Sequence, residues 1–189
     1  MKRWFVAVLI GLPFAASAIA GGNHKHSHGH GHDHEHRQLG AHKHGSGNFN
    51  IVIDGNKVYM ELESPGADIV GFEYQASTDK QRAKVASAKA RLNDIANVVV
   101  LPAAAGCKVG GSDVRLIITG KNKEGSHSEF HAKYHMTCAT PEKLAELTFT
   151  YFENFAGAQH LEVRVVGPKS QQRFEVERDA GKINLGGVI

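Results

Sequence analysis

The chain has 189 residues, with 22 Lys and Arg, 19 Asp and Glu, 41% hydrophobic residues, 21 Gly, 2 Cys and 13 His. Its length and apolar content suffice for one buried core, which excludes a wholly disordered chain, and only the first 20 residues form a continuous apolar run, which excludes a polytopic membrane protein. Without Lys2 and Arg3, 20 cationic side chains face 19 anionic ones, and that near-neutral balance lacks the basic field that nucleic acid demands of a partner.

Residues 1–20 read as a cleaved signal peptide. Lys2 and Arg3 supply the positive start, Trp4 to Phe14 the apolar stretch, and Ala16, Ala18 and Ala20 the small residues of a cleavage site. An uncleaved anchor is the alternative, but the apolar stretch is shorter than the ~20 residues of a spanning helix. The mature chain is therefore expected outside the cytoplasm, with no insertion in the membrane.

Residues 21–47 hold nine of the thirteen histidines: His24, His26, His28, His30, His32, His34, His36, His42 and His44. With Leu39 and Ala41 as their only apolar side chains, they cannot offset the entropy of ordering and read as a disordered His-rich segment. Neutral imidazole ligates Zn2+, Ni2+ and Cu2+, and at three or four ligands per ion the segment accommodates about two or three ions, with Asp33 and Glu35 as further ligands. Ligands that must order around each ion suit capture and release better than catalysis. A pH-responsive tail and an added tag are the alternatives, the tag disfavoured by the interleaved Gly, Lys, Asp, Glu and Ser. His42 and His44 stand two apart, so an extended backbone places both rings on one side.

Residues 48–189 are expected to form a single α+β domain, mostly antiparallel sheet with one long helix and a short helical turn. Phe49 to Ile53 and Val58 to Glu63 flank Asp54-Gly55-Asn56-Lys57 as a β-hairpin, with Val58, Met60 and Leu62 inward and Tyr59, Glu61 and Glu63 on the other face. The apolar spacing predicts a helix over 78–97, capped by Ser77, Thr78 or Asp79. Strands are expected over 114–119, 129–138, 146–152, 160–166 and 173–178, with a helical turn at 141–145 after Thr140-Pro141.

Cys107 and Cys138 offer one intramolecular bridge, the form an exporting compartment favours; a thiolate zinc site with His135 or His131 is the alternative. The alternation of 129–138 puts Glu129, His131, Lys133, His135 and Thr137 on one side. On a strand His131 and His135 stand about 13 Å apart and cannot share an ion, so each needs partners from elsewhere, Glu129 and Glu63 being candidates. His127 completes the candidate ligands, while isolated His160 reads as structural. Glu61 and Glu63 as a carboxylate pair read as solvated surface acids. No Gly-x-Ser-x-Gly, His-Glu-x-x-His or phosphate-binding Gly-rich loop occurs, so an enzyme is not expected.

The signal peptide, the His-rich stretch, HRQLGAHKHGSGNFNIVIDGNKVYMELESPGADIVGFEY and SHSEFHAKYHMTCATPEKLAELTFTYFENF together resemble the ZrgA family of periplasmic zinc-binding proteins of Gram-negative bacteria. The resemblance implies an accessory role in zinc acquisition beside an ABC-type importer and its substrate-binding protein. It supports His42, His44, His131 and His135 as family-pattern positions and the run 24–36 as a metal-collecting stretch. Where many relatives carry a His-rich or acidic insertion, Lys121 to Ser128 holds only His127. A nickel or copper sink is the alternative function, and a metal-dependent enzyme using His131, His135 and a carboxylate is a more distant one.

Overall fold

A computed structural model describes residues 43–120 and 125–189. The signal segment, the run from His24 to His36 and His42 lie outside the described residues. β1 (Ser46–Asp54) and β2 (Lys57–Pro65) form the expected hairpin, in register from Asn48 opposite Glu63 to Asp54 opposite Lys57. Gly55 takes φ +54° in its two-residue turn, a conformation glycine enters without a Cβ penalty. Val58, Met60 and Leu62 are buried, while Tyr59, Glu61 and Glu63 face outward.

A short helix that periodicity did not reveal follows directly, α1 (Gly66–Val70), closed by Gly71 at φ +80°. α2 (Asp79–Leu92) starts at a full capping box, with Thr78 Oγ1 accepting from the Gln81 amide and the Gln81 side chain accepting from the Thr78 amide. It ends at Leu92, short of the expected 97. Asp94 draws the Ala96 amide to its own carboxylate at 3.0 Å, and this side-chain capture turns Ile95–Asn97 into a separate 3-10 turn.

β3 (Cys107–Thr119) begins seven residues before the expected strand and pairs along β4 (His127–Cys138), with a bulge between Val109 and Gly111. A 3-10 turn at Pro141–Lys143 leads to β5 (Glu146–Thr148). That strand stops well before 152, because Tyr151–Asn154 fold as α3 and the Tyr151 amide donates to the Val98 carbonyl. β6 (His160–Val166) and β7 (Gln171–Glu177) match the expected strands within two residues, and β8 (Lys182–Asn184) is additional, pairing with β5.

The main sheet has the order β3-β4-β2-β1-β6-β7 and is antiparallel except at β1–β6. Among the described residues the fold is thus a mixed, mostly antiparallel sheet with three modest helices, richer in strand than the one-long-helix α+β expectation. Every strand of its centre sends alternate residues into one core, Phe49 and Ile51 from β1, Met60 and Leu62 from β2, Phe130 and Tyr134 from β4, Leu161 and Val163 from β6. Tyr134 donates to the Leu92 carbonyl at 2.6 Å, and Ser64 bonds the buried Tyr151 hydroxyl at 2.7 Å, so the two largest buried phenols are satisfied. Among the described residues no helix is long and apolar enough to cross a membrane. What remains for chemistry is the outward face of the sheet.

Candidate metal centre

Strand alternation turns His127, Glu129, His131, Lys133 and His135 to that outward face, opposite the core side chains Phe130, Ala132, Tyr134 and Met136. Antiparallel register with β2 then sets Glu63 beside His131, Glu61 beside Lys133 and Tyr59 beside His135. Neighbouring strands bring these pairs within about 5 Å, close enough for carboxylates and an imidazole to converge.

His131 is the centre of the resulting cluster. Its Nε2–H donates to Glu129 Oε2 at 2.7 Å, and its Nδ1 lies 3.7 Å from Glu63 Oε1. The ring is 20% exposed and Glu129 15%, so this contact is largely shielded from water. A proton held on Nε2 by a carboxylate leaves Nδ1 as the lone-pair nitrogen, the arrangement by which outer carboxylates orient metal-binding histidines. Glu61, Glu63 and His131 each offer a ligand atom, all within 4.8 Å of one another. Tetrahedral zinc with bonds of about 2.1 Å spaces its ligands about 3.4 Å apart, so closure needs only side-chain rotation.

The cluster has a proton economy of its own. His131 titrates above the ordinary imidazole value, chiefly because of its hydrogen bond to Glu129; burial opposes the rise, and the charges of Glu129, Glu63 and Glu61 add to it. Lys133 Nζ sits 3.0 Å from Glu61 Oε1, so one of the three donors is shared with a cation. Across the other edge Arg115 is opposite His131, with its guanidinium turned to Asp113 at 2.7 Å.

The remaining expected ligands separate into distinct places. His131 and His135 lie on one strand, as the spacing argument required, and His135 meets Tyr59 edge to face at 5.3 Å without joining the carboxylates. His44 and His127 both approach a residue the sequence reading passed over, Glu73: Nε2 of His44 is 3.3 Å from its Oε1, and Nδ1 of His127 is 3.2 Å from its Oε2. Cys107 and Cys138 face each other across β3 and β4 and are joined as a disulfide, so the thiolate alternative has no thiol to use. His160 lies between Ser46 at 2.9 Å and Glu175 at 2.5 Å, tying β1, β6 and β7 together.

Glu61, expected with Glu63 to be a solvated surface acid, instead converges with Glu63 and His131, because strand alternation sets both carboxylates on one face. Glu73 carries no local signal, because its partners come from the chain start of the domain and from β4.

Comparison with known proteins adds a separate line. The family model described as ZrgA family zinc uptake protein matches residues 41–185. A search of the curated proteins gives no match. Since the matched stretch spans well over half of the chain and includes both carboxylate–imidazole clusters, the chain belongs to the ZrgA family of zinc uptake proteins, and its role is in zinc uptake.

Proposed function

We propose that this protein works in the periplasm of a Gram-negative bacterium, where it captures Zn2+, buffers it and passes it to the substrate-binding protein of an ABC-type zinc importer. The histidines from His24 to His36 make the first capture. The folded domain then holds one ion on Nδ1 of His131 and the carboxylates of Glu63 and Glu61, with Glu129 fixing the ring.

One observation carries this reading: His131 is held through Nε2 by Glu129 while its other nitrogen faces Glu63. The mixed imidazole and carboxylate set suits zinc, with a position left for water or for a ligand of the receiving protein. A position left open on the half-buried outward face of the sheet lets a ligand of a second protein reach the ion, which transfer requires.

The test is made in cells. A strain lacking the protein should grow poorly under zinc chelation, recover with added zinc and recover with the wild-type gene. The H131Q gene should recover it less well. Altered tolerance of nickel or copper, with zinc-limited growth unchanged, would overturn the reading in favour of a detoxifying sink.

A further inference from the structure

Glu73 holds a position that the His131 cluster does not explain. Its side chain is 11% exposed, yet it lies between two rings that are mostly open to solvent, His44 at 66% and His127 at 58%. One carboxylate oxygen, Oε1, is shut off from water and accepts no hydrogen bond. Burying a charged acceptor without a hydrogen-bond donor is unfavourable, and the contact Oε1 does have is the Nε2 of His44 at 3.3 Å, a nitrogen that a shared cation would also engage.

Three separate stretches of chain are fixed to make this arrangement. Gly66 packs on β4 so closely that a Cβ there would stand 2.0 Å from Ser128 Oγ, which sets α1 against the residue next to His127. Gly71, in the left-handed region at φ +80°, then reverses the chain and brings Phe72 and Glu73 back past the start of β4. On the other side Asp68, 5% exposed, receives the Gly45 amide on both oxygens at 2.8 and 2.9 Å, which pins the backbone beside His44 to α1. Together they hold two imidazole nitrogens against the two oxygens of one carboxylate.

We propose that Glu73, His44 and His127 form a second divalent-cation site, distinct from the His131 cluster, with Glu73 as the shared carboxylate and Nε2 of His44 and Nδ1 of His127 as the nitrogen ligands. Two imidazoles and one carboxylate are a borderline donor set that takes Zn2+ and excludes the hard cations Mg2+ and Ca2+, which want oxygen ligands alone. The choice of zinc as cargo rests on the uptake reading; the site itself rests on the Glu73 geometry. Exposed rings and a single buried anchor make it a fast-exchanging site. It follows the His-rich run in the chain, and His127 shares an outward strand face with His131, about 13 Å further along β4. The second site thus shares its strand face with the His131 cluster, with which it can exchange an ion.

The experiment is zinc titration of the full chain labelled with 15N in its histidine rings, read by long-range ring 1H–15N correlations assigned to His44, His127 and His131. Nε2 of His44 and Nδ1 of His127 should move to metal-bound positions with one common midpoint. In E73Q that midpoint should rise by about tenfold or more, and the two rings should lose their common response, while His131 responds as before. If the rings of His44 and His127 do not respond, respond with separate midpoints, or keep their common midpoint in E73Q, the second site is wrong. A His131 ring that fails to respond counts against the proposed function instead, and leaves the Glu73 result to be read alone. Should the amide spectrum show E73Q unfolded, H127N replaces it, with loss of the metal-bound His44 signal expected and its retention contradicting the site.

Discussion

His131 donates its Nε2–H to Glu129 at 2.7 Å and turns its Nδ1 toward Glu63 at 3.7 Å. That division decides which nitrogen can meet a cation, and it depends on a residue that does not itself belong to the ligand set. Glu129 is a positioning residue whose effect shows in both proton and metal binding.

Glu129→Gln keeps an oxygen that can accept from Nε2–H but removes the charge. Because the Glu129 hydrogen bond is the largest cause of the raised His131 pKa, the ring should titrate closer to the ordinary imidazole value in E129Q, as NMR of the ring would show. Zinc affinity at this cluster should fall about tenfold, the lower end of the usual cost of losing an outer carboxylate. An unmoved titration with unchanged affinity would remove Glu129 from the account.

The raised His131 pKa also fixes a sign for stability. In the unfolded chain the ring returns to about 6.5, so the metal-free fold is favoured by the protonated ring. That contribution is complete below the unfolded value and is lost as pH rises through the higher folded value. With zinc chelated, the stability advantage of wild type over H131Q should therefore shrink as pH rises from below the unfolded value of about 6.5 through the higher folded value, measured by urea midpoints along that rise. Zinc needs the same ring deprotonated, so its binding should release a proton in that window.

Lys133 competes with any cation for Glu61. The pair is half exposed, and such pairs contribute about 0.2 to 1 kcal/mol. Lys133→Ala should therefore strengthen zinc binding at the His131 cluster by about two- to fivefold in competition titration against a chromogenic chelator. Weaker binding in K133A would mean that Lys133 holds Glu61 in its ligand position.

The Cys107–Cys138 bridge spans 31 residues of sequence and closes β3 and β4, the hairpin that carries His127, Glu129 and His131. Chain-entropy arguments put its contribution at about 3 to 4 kcal/mol. Urea unfolding of the C107S/C138S double variant should show a loss of that size, with zinc stoichiometry of the folded fraction unchanged because no thiol serves as ligand.

Much of this site was legible in the residues, for a physical reason. The period-2 alternation around His131 and the Asp54-Gly55 turn determine a face and a register, and strand spacing alone separates His131 from His135 as ligands of one ion. Glu63 and Glu129 follow from the same geometry. What alternation cannot express is tertiary return. Glu73 reaches His44 and His127 only because Gly66, Asp68 and Gly71 fold α1 back on β4. The helix past Leu92 failed for a related reason: the apolar spacing continued to Asn97, but the Asp94 carboxylate captured a backbone amide and ended it. The parallel β1–β6 pairing joins strands more than a hundred residues apart, beyond any local pattern.

The folded domain is expected to hold an ordered zinc site that is independent of the His-rich run. The most direct measurement is zinc titration calorimetry at pH 7.4 on the full-length chain with the seven histidines from His24 to His36 replaced by Asn, beside the same chain carrying H131Q. The first chain is expected to bind zinc tightly still, and H131Q to remove one equivalent. If all binding is lost with the seven histidines, the domain serves only as a platform for the His-rich segment; if H131Q leaves the stoichiometry unchanged, the domain does not hold zinc at His131.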